Sequence, residues 1–537
     1  EKSVVSLDIE SLPMHTFVVG ATGSGKSNTI YTILSNITST RREEVSFMVI
    51  EPAKGEYKRV FGHKRGVTVL GTNPAFTKLL KINPFKFPKG IHVLEHIDRI
   101  VEIFNVCWPM YAAMPAVLKD AVLTSYSSCG WDLTLSKNMI GDNLYPTFQD
   151  LLDQLIQVIE KSAYSEEVKS NYMGSLTTRV RSLTNGLNGQ IFSSDEIDNT
   201  VLFDSNVIVD LSRIGSQETK SLLMGILVMR LSEHRMSNAS SSNSALRHIT
   251  VLEEAHNILG SNPSSTNTEG ESISQKSVEM IANAIAEMRT YGEGFIIADQ
   301  SPGAVDVSAI RNTNTKIIMR LPEEHDRRIA GKSAALNDKQ IDEIARLPQG
   351  VAVIYQNDWI EPVLCKVDKF EGKEEDFLES STEEELEKEK HETSVLINFV
   401  AHNRIDDADK ISYIEISHAI SSCNCSVRVR TLLTALLREY KAKRSIYIWD
   451  DKRFAEQSQL IRDILCLEEA VDNSRKMSYN IDSFSCRLNT LIAQKISNVT
   501  DQILLTLSHF LVKAYSLSNS DGVEFYQKWV YEIKTRG

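Results

Sequence analysis

The sequence predicts an α/β protein: a mostly parallel sheet covered by helices, with a helical insertion and an all-helical C-terminal region. Three observations lead there. Short apolar runs alternate with helical segments over the first 370 residues, the pattern of strands joined by crossover helices. One early run feeds a Gly-rich turn that feeds a helix. Residues 392–537 carry only helical periodicity, with apolar positions three and four apart.

In order, residues 14–20 (MHTFVVG) form the first strand, and ATGSGKSNTIYTILSNI turns into a helix on which Ile30, Ile33 and Leu34 share a face. VSFMVIEP (45–52) is a second strand that Pro52 ends, and VTVL (67–70) a third. Continuous apolar runs of this length suit strands buried on both faces. Residues 91–190 read as a helical insertion or lid, with Val117, Leu118 and Val122, then Leu151, Leu152 and Leu155, at helical spacing. Strands return at 206–211, 248–252, 294–298, 316–320 and 351–355, with helices at 217–235 and 275–291 between them. Residues 260–276 are rich in Gly, Ser and Thr and read as an exposed loop. Residues 371–390 hold ten acidic and three basic side chains, a linker or a solvated helix. The expected domains are therefore 1–370 (insertion about 91–190), an acidic linker at 371–391, and a helical domain at 392–537.

Composition narrows the class. The 537 residues are 42% hydrophobic and 24% charged, which excludes a disordered or low-complexity chain. No apolar run is long enough for a membrane span, and the N-terminal residues show no secretory signal. The net charge of −12 argues against a basic coat while leaving room for a basic groove or pore. Seven scattered cysteines without a CxxC pair suit a reducing, cytoplasmic setting. Cys423 and Cys425 read as a reduced pair, not a zinc site.

Gly20-Ala21-Thr22-Gly23-Ser24-Gly25-Lys26-Ser27 matches G-x-x-x-x-G-K-[ST] in full. Glycines let the backbone curl so that successive N–H groups face a phosphate. The helix that follows adds its positive end. Lys26 is placed to reach the β- and γ-phosphates and Ser27 to bind Mg²⁺; Asn28 completes the candidate nucleotide set. A dinucleotide fingerprint has no use for the Lys-Ser pair.

Such a loop needs a carboxylate at a strand end and a base for the attacking water. The strand at 248–252 ends in Glu253-Glu254, and adjacent strand residues point opposite ways. Glu253 is expected near Mg²⁺ and Glu254 as catalytic base; the alternative is a solvated helix start. Asp210, at another strand end, reads as structural. Gln300, after the 294–298 strand, is placed to touch both γ-phosphate and water, or simply to end the strand.

Three blocks together, GATGSGKS (20–27), VIEPAKGEY (49–57) and VLEEAHNIL (251–259), with DQSP (299–302) behind them, resemble the HerA branch of the HerA/FtsK ATPases over roughly residues 10–368. That resemblance implies a RecA-like P-loop NTPase core and ATP with Mg²⁺ as the nucleotide and its ion. It implies a hexameric ring that moves double-stranded DNA through a central pore, working with a separate nuclease or, in antiphage systems, a separate effector protein. It assigns Lys26 and Ser27 to nucleotide and metal, Glu254 to catalysis and Gln300 to the sensor position. Glu51 stands where the family usually has an Asp and would help arrange water or Mg²⁺. Arg289, in Arg289-Thr290-Tyr291-Gly292, is the first candidate for an arginine finger reaching a neighbouring subunit, and Arg311 the second; a surface ion pair is the alternative for each. The family's N-terminal β-barrel has no counterpart before the loop, and residues 392–537 match none of its motifs.

A translocase touches phosphates without reading bases. Arg179 and Arg181 beside an Asn-Gly turn are one candidate set; Lys54, Lys58 and Arg59 are another. Solvated helix faces explain either equally well. Arg428, Arg430, Arg438, Lys441, Lys443 and Arg444, with Tyr440, Tyr447 and Trp449, form a third basic stretch suited to stacking bases or to docking a protein. The leading expectation is an ATP-driven motor on duplex DNA coupled to a nuclease or defence effector. The alternatives are an ATP-dependent platform that recruits and gates an effector enzyme with little translocation, and a ligand-gated signalling ATPase.

Overall fold

A computed structural model describes residues 4–40, 45–141, 143–239, 243–260, 269–379, 383–401, 404–405, 412–423, 425–443, 446–447, 453–467 and 469–536. Residues 261–268 of the expected loop lie outside them, as do Arg444 and Trp449; the rest of that segment is not a loop, because a helix runs from Glu269 to Glu287. Packing divides the chain into two units: residues 1–80, 84–120 and 197–380, and residues 81–83, 121–196 and 381–537.

The first unit is built on a ten-stranded sheet. Its strands are β1 (Thr16–Val19), β2 (Ser46–Glu51), β3 (Val67–Gly71), β4 (Lys78–Leu79), β5 (Asn206–Asp210), β6 (His248–Glu253), β7 (Glu293–Asp299), β8 (Thr315–Ile318), β9 (Val351–Gln356) and β10 (Val363–Lys366). Their spatial order is β10-β9-β8-β1-β7-β6-β2-β5-β3-β4. All neighbours pair parallel except β8–β9 and β9–β10. Every residue of β1, β6 and β7 is buried, which is why these strands read as unbroken apolar runs.

The order places β1, β7, β6, β2 and β5 side by side, so their carboxyl ends share one edge. Val19 is level with Asp299, Glu253 with Ala298, and Glu51 with Asp210. In open parallel sheets ligands bind outside that edge. Helix α1 (Lys26–Thr40) follows β1 and buries Ile30, Leu34 and Ile37 against Val18, Val49 and Ile296. Helix α2 (Tyr57–Phe61) follows β2.

The insertion expected at 91–190 is shared between the units: residues up to Asp120 pack with the sheet, while 121–196 pack with the C-terminal helices. In the second unit Asp150 closes a capping box with Thr147 at the start of the 148–161 helix, and both its carboxylate oxygens accept the Val427 N–H at 3.1 Å. Arg430, also buried, donates to the Tyr145 carbonyl at 2.7 Å, so it is no free phosphate contact. The core of the C-terminal helices includes Leu396, Val400, Leu433, Ile461, Leu488 and Ile492.

The acidic segment is not a free linker through its first half. Residues 367–379 lie along the first unit as a strap. Glu375 N–H donates to the Arg59 carbonyl and Glu379 N–H to that of Phe76, both at 3.0 Å, and Phe370 and Phe377 pack against the core. A helix begins at Glu383. Among the described residues no helix is long and apolar enough to cross a membrane.

Candidate nucleotide-binding and hydrolysis site

The Gly-rich turn joins β1 to α1 as expected. Gly25 has φ 109°, and a Cβ there would meet Met319 Cε at 3.0 Å and Gly350 Cα at 3.2 Å, so backbone conformation and neighbours both require glycine. The turn is fixed from behind: Ala21 N–H donates to the Arg320 carbonyl at 2.9 Å, and Gly350 N–H to that of Ser24 at 2.8 Å. Lys26 opens α1 and is 9% exposed.

Glu253 ends β6 and faces the turn. Its Oε2 lies 3.5 Å from Lys26 Nζ, and its Oε1 accepts a hydrogen bond of 2.6 Å from the Tyr57 hydroxyl. A buried carboxylate needs such partners to remain charged. Glu254, next along, has φ 46°, a left-handed conformation that a side chain of this type adopts at a cost of about 1–3 kcal/mol. Asn257 supports it, donating its N–H and side-chain amide to the Glu254 carbonyl at 3.0 and 2.8 Å.

Asp299, at the end of β7, joins the two neighbouring loops. Its Oδ2 accepts from the His256 N–H at 3.0 Å and contacts His256 Nδ1 at 2.8 Å; its Oδ1 accepts from Gln300 N–H at 2.8 Å and Ser301 N–H at 3.1 Å. The bond to Asp299 raises the His256 pKa. Burial alone would raise Asp299, but His256 and these N–H groups hold it below the usual range. Gln300 accepts from the Thr22 hydroxyl at 2.7 Å, which brings the candidate sensor onto the phosphate loop.

The loop between β2 and α2 supplies two residues that sequence reasoning did not single out, although both stand in the quoted GEY. Ser27 Oγ lies 3.4 Å from Glu56 Oε2, and Tyr57 holds Glu253. Glu51 itself turns away from this face. It is 3% exposed, and its two oxygens accept the N–H groups of Glu56 at 2.7 Å and Tyr57 at 3.2 Å. Burial pushes its carboxyl up to about 8, against the pull of those donors. It fixes the loop instead of meeting water or metal.

Other candidates are placed differently. Both ends of the Asn28 amide bind the strap, donating to the Asp368 carbonyl at 2.9 Å and accepting from Phe370 N–H at 2.8 Å. That side chain is committed to protein, not nucleotide. Lys58 is paired with Asp210 at 2.6 Å, both well buried, and Arg59 lies 3.5 Å from Asp376. Lys54 is half-exposed, with Nζ 3.8 Å from Glu56 Oε1. Arg289 and Arg311 are exposed and lie before β7 and β8 respectively. They sit at the sheet edge opposite the phosphate loop, away from this chain's own Lys26. Arg179 and Arg181 lie on the Thr178–Thr184 helix of the second unit, and Arg179 donates to Ser175.

The oxygen donors Ser27, Glu56 and Glu253 suit a hard divalent cation. Among the described residues no three His, Cys, Asp or Glu side chains converge to hold a metal by themselves. This donor set fits Mg²⁺ that takes its other ligands from phosphate and water.

Residues 1–231 match the family described as "Helicase HerA, central domain". The chain is 26% identical over 373 residues to the "DNA double-strand break repair helicase HerA" of Sulfolobus acidocaldarius, covering 69% of this chain and 68% of that protein. Its counterpart in Saccharolobus solfataricus is 24% identical over 375 residues, covering 69% and 67%. VirB4 of Thermoanaerobacter pseudethanolicus, at 16% identity, superposes with a TM-score of 0.48 over 66% of this chain and 90% of that one.

Proposed function

From the premise that this chain is a HerA-like P-loop ATPase, we propose that it is the subunit of a ring, hexameric by family analogy, that uses ATP hydrolysis to move double-stranded DNA and serves a separate nuclease or defence effector. The observation that carries the reading is the meeting, at one sheet edge, of the phosphate loop with Glu253, Glu254 and Gln300.

Lys26 is paired with Glu253. An arriving triphosphate competes for the ammonium group, and Lys26 transfers to the β- and γ-phosphates. Ser27 and Glu253 would hold Mg²⁺, with Glu56 beside them. When bound, the ion neutralises charge on the phosphate oxygens. Glu254 accepts a proton from the attacking water, and Gln300, one hydrogen bond from Thr22, reports whether the γ-phosphate is present. Arg289, or failing it Arg311, projects into a neighbour's site and stabilises the transferred phosphoryl group, so hydrolysis requires the ring. Lys54 and the Arg179–Arg181 pair are the DNA contacts of this reading, acting on phosphates without sequence preference.

A strand-displacement measurement tests it. A triplex-forming third strand annealed to linear duplex DNA should be released in the presence of ATP and retained with Glu254→Gln. ATP hydrolysis without release would instead favour the platform that gates an effector.

A further inference from the structure

We propose that Tyr57 is a positioning residue for hydrolysis: its hydroxyl aims the Glu253 carboxylate at the phosphate loop, and buried Glu51 sets Tyr57 from behind. The inference rests on the reading of Glu253 as a metal-facing group.

The four residues form a continuous chain. Glu51, at the end of β2, accepts the N–H groups of Glu56 and Tyr57 and fixes the start of α2. Tyr57 is 1% exposed, and its ring packs edge-on to Tyr31 with centroids 5.0 Å apart, so its hydroxyl has little freedom. That hydroxyl donates to Glu253 Oε1 at 2.6 Å, the short distance of a charge-assisted bond. Glu253 Oε2, left to the other side, faces Lys26 Nζ. One Glu253 oxygen is therefore held by Tyr57, and the other is left facing Lys26 and the phosphate loop.

Tyr57→Phe removes only the hydroxyl. Tyr31→Phe, from the same aromatic cluster but without a bond to Glu253, is the control. Two readouts are taken on the full chain: steady-state ATPase over a range of Mg²⁺, and affinity for a fluorescent ATP analogue in Mg²⁺ and in EDTA. Losing a charge-assisted bond that matters at the transition state should lower kcat about tenfold in Tyr57→Phe even at saturating Mg²⁺ and ATP. The Mg²⁺ needed for half-maximal rate should rise, and nucleotide affinity should weaken in Mg²⁺ but not in EDTA. Tyr31→Phe should match the wild type. Tyr57→Phe behaving as Tyr31→Phe in both readouts overturns the proposal, as does equal loss of affinity in Mg²⁺ and EDTA, the mark of a merely structural residue. If the wild type fails to hydrolyse ATP while the Mg²⁺-specific affinity loss appears, the motor reading fails and the role of Tyr57 stands.

Discussion

Glu254 combines a left-handed backbone with a position beside the phosphate loop, and strain of that kind persists where surrounding structure enforces it. Replacing it with Gln keeps the shape and removes the proposed base. kcat should fall about 10²- to 10⁴-fold while nucleotide affinity stays near wild type, measured by fluorescent nucleotide titration. His15 offers a separate check on the core. Its Nδ1 accepts the Phe295 N–H at 3.1 Å, which requires the neutral ring, and burial lowers its pKa from 6.5 to about 4. Between those values the unfolded chain binds a proton that the folded one refuses, so stability falls as pH falls through 6.5 toward 4. Going from pH 7 to pH 5 should cost about 2 kcal/mol in denaturant unfolding through this residue alone, and His15→Gln should lack that share. Equal pH dependence in both proteins would contradict it. At this scale the phosphate loop and the Glu253-Glu254 pair were legible in the sequence, because each is a local run whose spacing dictates its chemistry. Tyr57, Asp299 and the engagement of Asn28 were not. Their roles depend on partners 196, 43 and 340 positions away, which no local pattern encodes.

The strap at 367–379 is the element where charge pattern misled. Its acidic side chains face solvent or exposed cations, as at Arg59–Asp376 and Lys78–Glu379, while its backbone and two phenylalanines anchor it. Phe370 stands 5.7 Å from Tyr31 and 5.9 Å from Phe61 between ring centroids. Asn28→Ala should loosen the strap's start, seen as faster hydrogen exchange at 368–370 with little change in the sheet; unchanged exchange would contradict the anchoring. The buried strands were all legible because double-sided burial leaves a continuous apolar run. β4 and β10 escaped, being short, partly exposed edge strands.

Across the whole molecule, helical periodicity located most helices, though not the polar start of the one at Glu269, and it did not give their packing partners, since an amphipathic face does not say what covers it. Hence residues 121–196 join the C-terminal helices, with Asp150 fastening the two. Asp150→Ala removes a helix cap and leaves the buried Val427 N–H unsatisfied, which should cost about 2 kcal/mol and raise proteolysis of the second unit while nucleotide binding persists. The largest-scale property proposed for the molecule is that it is a motor. It is tested most directly by steady-state ATPase with and without linear duplex DNA, on protein of known mass in solution, with Glu254→Gln as blank. A motor should be stimulated strongly by DNA in a ring-sized oligomer, at a rate that vanishes in the blank. Hydrolysis of the same rate with and without DNA would contradict it.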